Sequence, residues 1–199
     1  MDFSLLENGI DSIKQAKFNI DENYLNHEFE SFQLKDGLFN FVHGMEILSK
    51  FIISNHCEEK IFRNKRRYFK AKENAESSGK SIFDEDPDLR TITGKEALDI
   101  LKSEFEMSES LHEKTYNLVG KRDALMHHTV NLHDKEHFVN QLRTCIDLIV
   151  KYFEEQITEF ESAYKEFERN YPYTEYDRYE DDAINAAEAS HEDIRLGIE

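Results

Sequence analysis

The segment Lys121-Arg122-Asp123-Ala124-Leu125-Met126-His127-His128 sets a guanidinium five residues before an imidazole. A guanidinium offers forked donors to a phosphate, and a histidine moves a proton near neutral pH. Together they are a minimal kit for cleaving RNA without a metal. His127 would handle the ribose 2′-hydroxyl or the leaving oxygen, and Arg122 would stabilise charge on the phosphorane. Asp123 would orient the pair, and His128 is the alternative imidazole. The competing reading is structural: basic side chains near a helix C-terminus favour the local dipole.

A second constellation is Lys60-Ile61-Phe62-Arg63-Asn64-Lys65-Arg66-Arg67-Tyr68-Phe69-Lys70, part of a stretch to Lys72 that contains no acid. Interleaved aromatics and cations suit single-stranded RNA, whose bases stack while its phosphates pair. Arg63, Lys65, Arg66, Arg67 and Lys70, with Lys121, are the candidate strand-guiding residues. Two alternatives stay open: an amphipathic helix burying Phe62 and Phe69 with its cations solvated, or a run docked on the chain's own acidic tail.

His133 and His137 are four apart, on one helical face, a spacing that zinc or nickel accepts. The intervening residues lack a metalloprotease's glutamate arrangement, and these histidines read as solvated, so no metal is assigned. The sequence contains no glycine-rich phosphate loop and no Gly-x-Ser-x-Gly elbow, which disfavours the common nucleotide-dependent folds. No cofactor is expected. Cys57 and Cys145 are too few for a disulfide framework or a four-ligand zinc site.

The elements that must position these residues are helical. Of 199 residues only 7 are glycine and 2 proline, too few for a sheet protein built on tight turns. The 3.6-residue period marks five helices: about Ser4 to Phe18, Phe32 to Ser54, Thr93 to Glu106, Ser108 to His127, and Asp134 to Asn170. Thr93 with Glu96 forms a capping-box pattern. The fifth helix would be a rod of about 55 Å, against a radius of gyration of roughly 16 Å for a domain of this size. One end must project, pack on a second chain, or break. Residues 55–92 read as a linker-like basic and polar insert, and residues 171–199 as an acidic tail.

The formal net charge is −17, of which the tail after Pro172 supplies −7 (nine acids against Arg178 and Arg195). Such a field disfavours a generic DNA-coating protein. With no signal-peptide pattern at the N-terminus and no apolar run long enough to span a bilayer, a cytoplasmic protein without membrane contact is expected.

An all-α chain with Arg122 and His127 just before a long last helix resembles the HEPN superfamily, whose signature is arginine, four to six residues, then histidine. The polar Asp123 after the arginine is also usual there. Gly44-Met45-Glu46-Ile47-Leu48-Ser49-Lys50 is similar to the glutamate, aliphatics and lysine on the HEPN helix that faces the motif; Glu46 and Lys50 equally suit a solvated ion pair four apart. The resemblance covers roughly residues 1 to 170. It implies a HEPN-like bundle, a homodimer whose paired motifs line one cleft, and a metal-independent endoribonuclease of a toxin or phage-defence system, with an antitoxin or sensor as a further partner. It also admits a non-catalytic scaffold that binds a partner protein or a nucleotide. Thr129 stands where toxins paired with a nucleotidyltransferase antitoxin often have tyrosine, so modification there is not expected.

Overall fold

A computed structural model describes residues 4–26, 31–127 and 134–168. His128, Thr129, His133 and the acidic tail lie outside the described residues. The chain is all-α: among the described residues the only β-type pairing is an isolated bridge between Phe62 and Thr91. Its helices are α1 (Leu5–Asn26), α2 (Ser31–His56), α3 (Lys65–Ser78), α4 (Ile82–Glu85), α5 (Gly94–Glu104), α6 (Glu109–His127), α7 (Lys135–Gln156) and α8 (Phe160–Glu168). No helix among these residues is long and apolar enough to cross a membrane.

The wide apolar face of α2 explains its central position. Leu34, Leu38, Phe41, Met45, Leu48 and Ile53 are all fully buried, and α2 packs against α1, α5, α6 and α7. Its approach to α1 is unusually close because Gly44 carries no side chain. A Cβ there would lie 2.8 Å from the Gly9 carbonyl oxygen and 2.9 Å from Ile13 Cγ1. Packed against both α1 and α2, α7 buries Phe138, Leu142, Cys145, Ile149 and Phe153 at helical spacing.

The long fifth helix breaks. α7 ends at Gln156, and Ile157 adopts an extended backbone (φ −125°, ψ 108°). The break turns Ile157 and Phe160 into the core and brings Tyr164 under Lys14, whose Nζ sits 4.1 Å from the ring centroid. Both pieces thereby bury apolar side chains against α1, which a straight rod would leave in water.

The insert is also folded, correcting the linker-like reading of residues 55–92. A 3-10 turn (Glu58–Ile61) leads to α3, which Asn64 caps by accepting from the Arg67 N–H at 3.1 Å. Gly79, at φ +70°, closes α3 in the left-handed conformation that glycine adopts without strain. Ser81 and Asp84 form a capping box on α4. The bridge then ties the segment's two ends, with the Arg63 N–H donating to the Arg90 carbonyl and the Ile92 N–H to the Ile61 carbonyl. The apolar support is thin. Phe62 stacks on Tyr68 at 4.5 Å, both buried, while Phe69 is 54% exposed rather than buried.

Candidate functional site

The groove beside Arg122 is assembled from four elements. α6 supplies Arg122 and Asp123, α2 supplies Glu46, the start of α5 supplies Gly94 and Lys95, and Arg63 reaches in from the turn before α3. Together with Thr91 and Thr93 they line a cavity of about 320 Å³. Four of the residues singled out in the sequence (Glu46, Arg63, Arg122 and Asp123) therefore share one site.

Local chemistry fixes its walls. The Thr93 N–H donates to Glu96 Oε2 at 2.6 Å, and the Glu96 N–H donates back to Thr93 Oγ1 at 3.3 Å. The Thr93 backbone and hydroxyl donors, and then the Arg63 guanidinium 3.0 Å away, hold the Glu96 carboxyl down to about 2. Capping box and ion pair thus anchor the N-terminus of α5 and position Arg63. Glu46 accepts from Lys50 Nζ at 2.5 Å, and the same ammonium donates to Thr91 Oγ1 at 3.0 Å. Lys50 is only 12% exposed, so this is a half-buried strut rather than a solvated pair. Its carboxylate also faces Gly94, where a Cβ would come within 3.1 Å of Glu46 Oε2.

Arg122 is held differently. Asp123 Oδ1 lies 3.1 Å from Arg122 Nε, but at an angle that makes no hydrogen bond, and the Nε is shielded from solvent. Asp123 is shared with Lys95, 3.5 Å away, whose ammonium also sits over the Tyr116 ring. The result is a guanidinium at the wall of a groove, balanced by one carboxylate that a second cation also draws on. Such a guanidinium can donate to the oxygens of an entering phosphate.

His127 is the last residue of α6. Lys121, adjacent to Arg122 in sequence, belongs to another place: its ammonium donates to Gln141 Oε1 at 3.0 Å, in a cleft between α6 and α7. The basic run is largely committed to the chain's own acids. Arg63 pairs with Glu96, Arg67 with Asp86 through two nitrogens, Lys72 with Glu58 and Lys60 with Glu104. Lys65, Arg66 and Lys70 are exposed on α3 and have no ion-pair partner among the described residues. No group of three or more His, Cys, Asp or Glu able to hold a metal occurs among the described residues.

Sequence reasoning missed Thr91, Thr93, Gly94 and Lys95 as parts of the groove. Only the capping-box pattern at Thr93 and Glu96 signalled that α5 would start there, and nothing in the spacing placed that start beside Arg122. No family model, curated protein or solved structure matches this chain.

Proposed function

We propose that the chain is a metal-independent endoribonuclease of the HEPN type, working as a two-fold dimer in a bacterial toxin or phage-defence system. The observation that carries this reading is the guanidinium of Arg122 at the wall of a groove, with its Nε shielded from water yet making no hydrogen bond. An RNA phosphate entering the groove accepts from the outer nitrogens of the guanidinium, whose side chain is 26% exposed. His127, or His128 in its stead, takes the proton of the ribose 2′-hydroxyl; the 2′-oxygen bonds to phosphorus as the P–O5′ bond breaks, a 2′,3′-cyclic phosphate forms, and the imidazolium gives the proton to the departing 5′-oxygen. Arg122 stabilises the charge that grows on the non-bridging oxygens, and Asp123 keeps the guanidinium oriented.

Helix geometry is compatible with the two-fold dimer that the HEPN resemblance implies. Five residues at about 100° each carry the backbone roughly 140° round the axis of α6 between Arg122 and His127. An arginine from one protomer and a histidine from its partner meet across a two-fold axis without that separation. Lys65, Arg66 and Lys70, which make no ion pair among the described residues, guide the strand, and an antitoxin or sensor protein controls access.

A second reading, a non-catalytic module that binds a partner protein, is favoured by one specific feature. Arg63, Arg67, Lys60 and Lys72 of the basic stretch are spent on bracing the chain itself. RNA digestion in the presence of a chelator separates the two. Wild type cleaves, whereas Arg122→Ala and His127→Ala each fail to cleave while keeping helical content and dimer mass. Cleavage that survives both substitutions, or that requires a divalent ion, rejects the nuclease; absence of any RNA binding leaves the module.

A further inference from the structure

The cleft between α6 and α7 lies on a different face of α6 from Arg122 and plays no part in the proposed nuclease. Its walls are two helical stripes. Lys114, Asn117 and Lys121 project from α6, and His137, Asn140 and Gln141 from α7, around a cavity of about 350 Å³. Residues spaced three and four apart on facing helices are ordinarily apolar, because that is how two helices bury surface against each other. Among the described residues that line it, only Leu118 and Cys145, at the floor, are buried apolar side chains. Burial pushes the Cys145 thiol up to about 12, so it serves as floor and not as a nucleophile.

The polar groups are ordered, not merely present. Lys121 Nζ donates to Gln141 Oε1 at 3.0 Å, which leaves the Gln141 amide nitrogen 2.9 Å from His137 Nε2. That nitrogen can only donate, so neutral His137 accepts at Nε2 and carries its proton on Nδ1. Among the described residues no carboxylate lines the cleft, although the chain carries a net charge of −17. Lys121 faces a ring instead, its Nζ 5.0 Å from the Phe138 centroid, and burial alone draws its pKa below the ordinary lysine range. An ammonium partly withdrawn from water, with no acid lining its cleft, is stabilised by an anion that enters.

We propose that this cleft binds a small phosphomonoester, with Lys114 and Lys121 taking the phosphate and Asn117 and Asn140 taking the polar body attached to it. A phosphomonoester carries close to two negative charges at neutral pH, so it matches two ammonium groups where a carboxylate matches one. Primary amides present a donor and an acceptor side by side, as the edge of a heterocycle or a sugar diol requires. The cavity exceeds what a free phosphate fills and lies within the roughly 300–1,000 Å³ of small-molecule pockets.

Calorimetric titration of the full chain tests this with four probes: inorganic phosphate, ribose 5-phosphate, adenosine 5′-monophosphate and adenosine. Saturable one-to-one binding is expected for at least one of the two esters and none for adenosine. Lys121→Met and the exposed Lys114→Met should each weaken it about tenfold to a hundredfold, the worth of a charge-assisted hydrogen bond. Arg122→Ala should leave this affinity unchanged. Adenosine binding as tightly as its monophosphate, or inorganic phosphate as tightly as both esters, would overturn the assignment. So would affinity that survives the two lysine substitutions, or that is lost with Arg122, which would put the probe in the other groove. Circular dichroism on Lys114→Met, an exposed position, keeps the result independent of any folding defect at Lys121.

Discussion

The cations of the α3 segment and Arg122 at the groove wall are held in opposite ways. The segment from Lys60 to Lys72 is the most basic part of the sequence, yet Lys60, Arg63, Arg67 and Lys72 each face a carboxylate of the same chain. The groove is poorer in charge, but Arg122 has one off-angle carboxylate neighbour and a shielded Nε without a hydrogen bond. Charge density along a sequence is therefore not the same as charge available to a ligand. An ion pair with the protein's own acid must be broken before a phosphate can use the cation.

The sharpest way to break that contrast is activity. Arg122→Ala should lower chelator-resistant RNA cleavage by about a thousandfold, the scale of losing an electrostatic stabiliser of the transition state. Arg67→Ala should change it less than about threefold, as expected of an exposed pair that does not line the groove. Equal losses in the two variants would mean that the paired cations are as functional as the groove.

Stability divides the ion pairs along the same line. Arg143 donates to Asp21 at 3.0 Å between α7 and α1, and Asp21 is 3% exposed, whereas Arg67 is 44% exposed beside Asp86. Arg143→Ala strands a buried carboxyl and should cost about 3–5 kcal/mol in denaturant unfolding. Arg67→Ala should leave the denaturant midpoint nearly unchanged.

The buried pair also titrates. Burial raises the Asp21 carboxyl from its ordinary value to about 6, with the neighbouring Arg143 pulling the other way. The folded state thus binds this proton more tightly than the unfolded chain. The stabilisation is full below about pH 4 and is lost as pH rises through about 6. Its span is on the order of 2–3 kcal/mol. Unfolding curves between about pH 4 and 7 should show this slope in wild type and its absence in Asp21→Asn.

The smallest effect concerns the cations on α3 that have no acid partner among the described residues. Neutralising Lys65, Arg66 and Lys70 together should reduce the slope of log affinity against log salt for single-stranded RNA by about 2. The same treatment of Arg67 and Lys72 should leave the slope nearly unchanged, since those charges release no counterions on binding.

Much of the frame is legible in the residues themselves. Thr93 and Glu96 mark the start of α5 because a capping box is a local pattern, satisfied within four residues. The face of α2 and the stripe of α7 are legible because burial imposes the 3.6-residue period directly. The α3 segment is legible only as one open alternative, an amphipathic helix, because its apolar stripe is thin: Tyr68, Ala71 and Ala75 are its buried residues, whereas Phe69 is exposed. The break at Ile157 stays open in the sequence for a related reason. The apolar period runs on through Phe160 and Tyr164, and no proline or glycine marks the turn.

What the sequence by itself determined is the helical class, the helices with broad apolar faces and the presence of Arg122, Asp123 and Glu46 as residues able to do chemistry. Periodicity and residue chemistry are local properties. What the tertiary structure decided is which of those residues meet. Lys121 and Arg122 are neighbours in the chain, yet about 100° of helical rotation sends one to the α6–α7 cleft and the other to the groove with Glu46, Arg63 and Gly94. That partition depends on how α2, α5 and α7 pack around α6, a long-range arrangement that no spacing within one helix encodes.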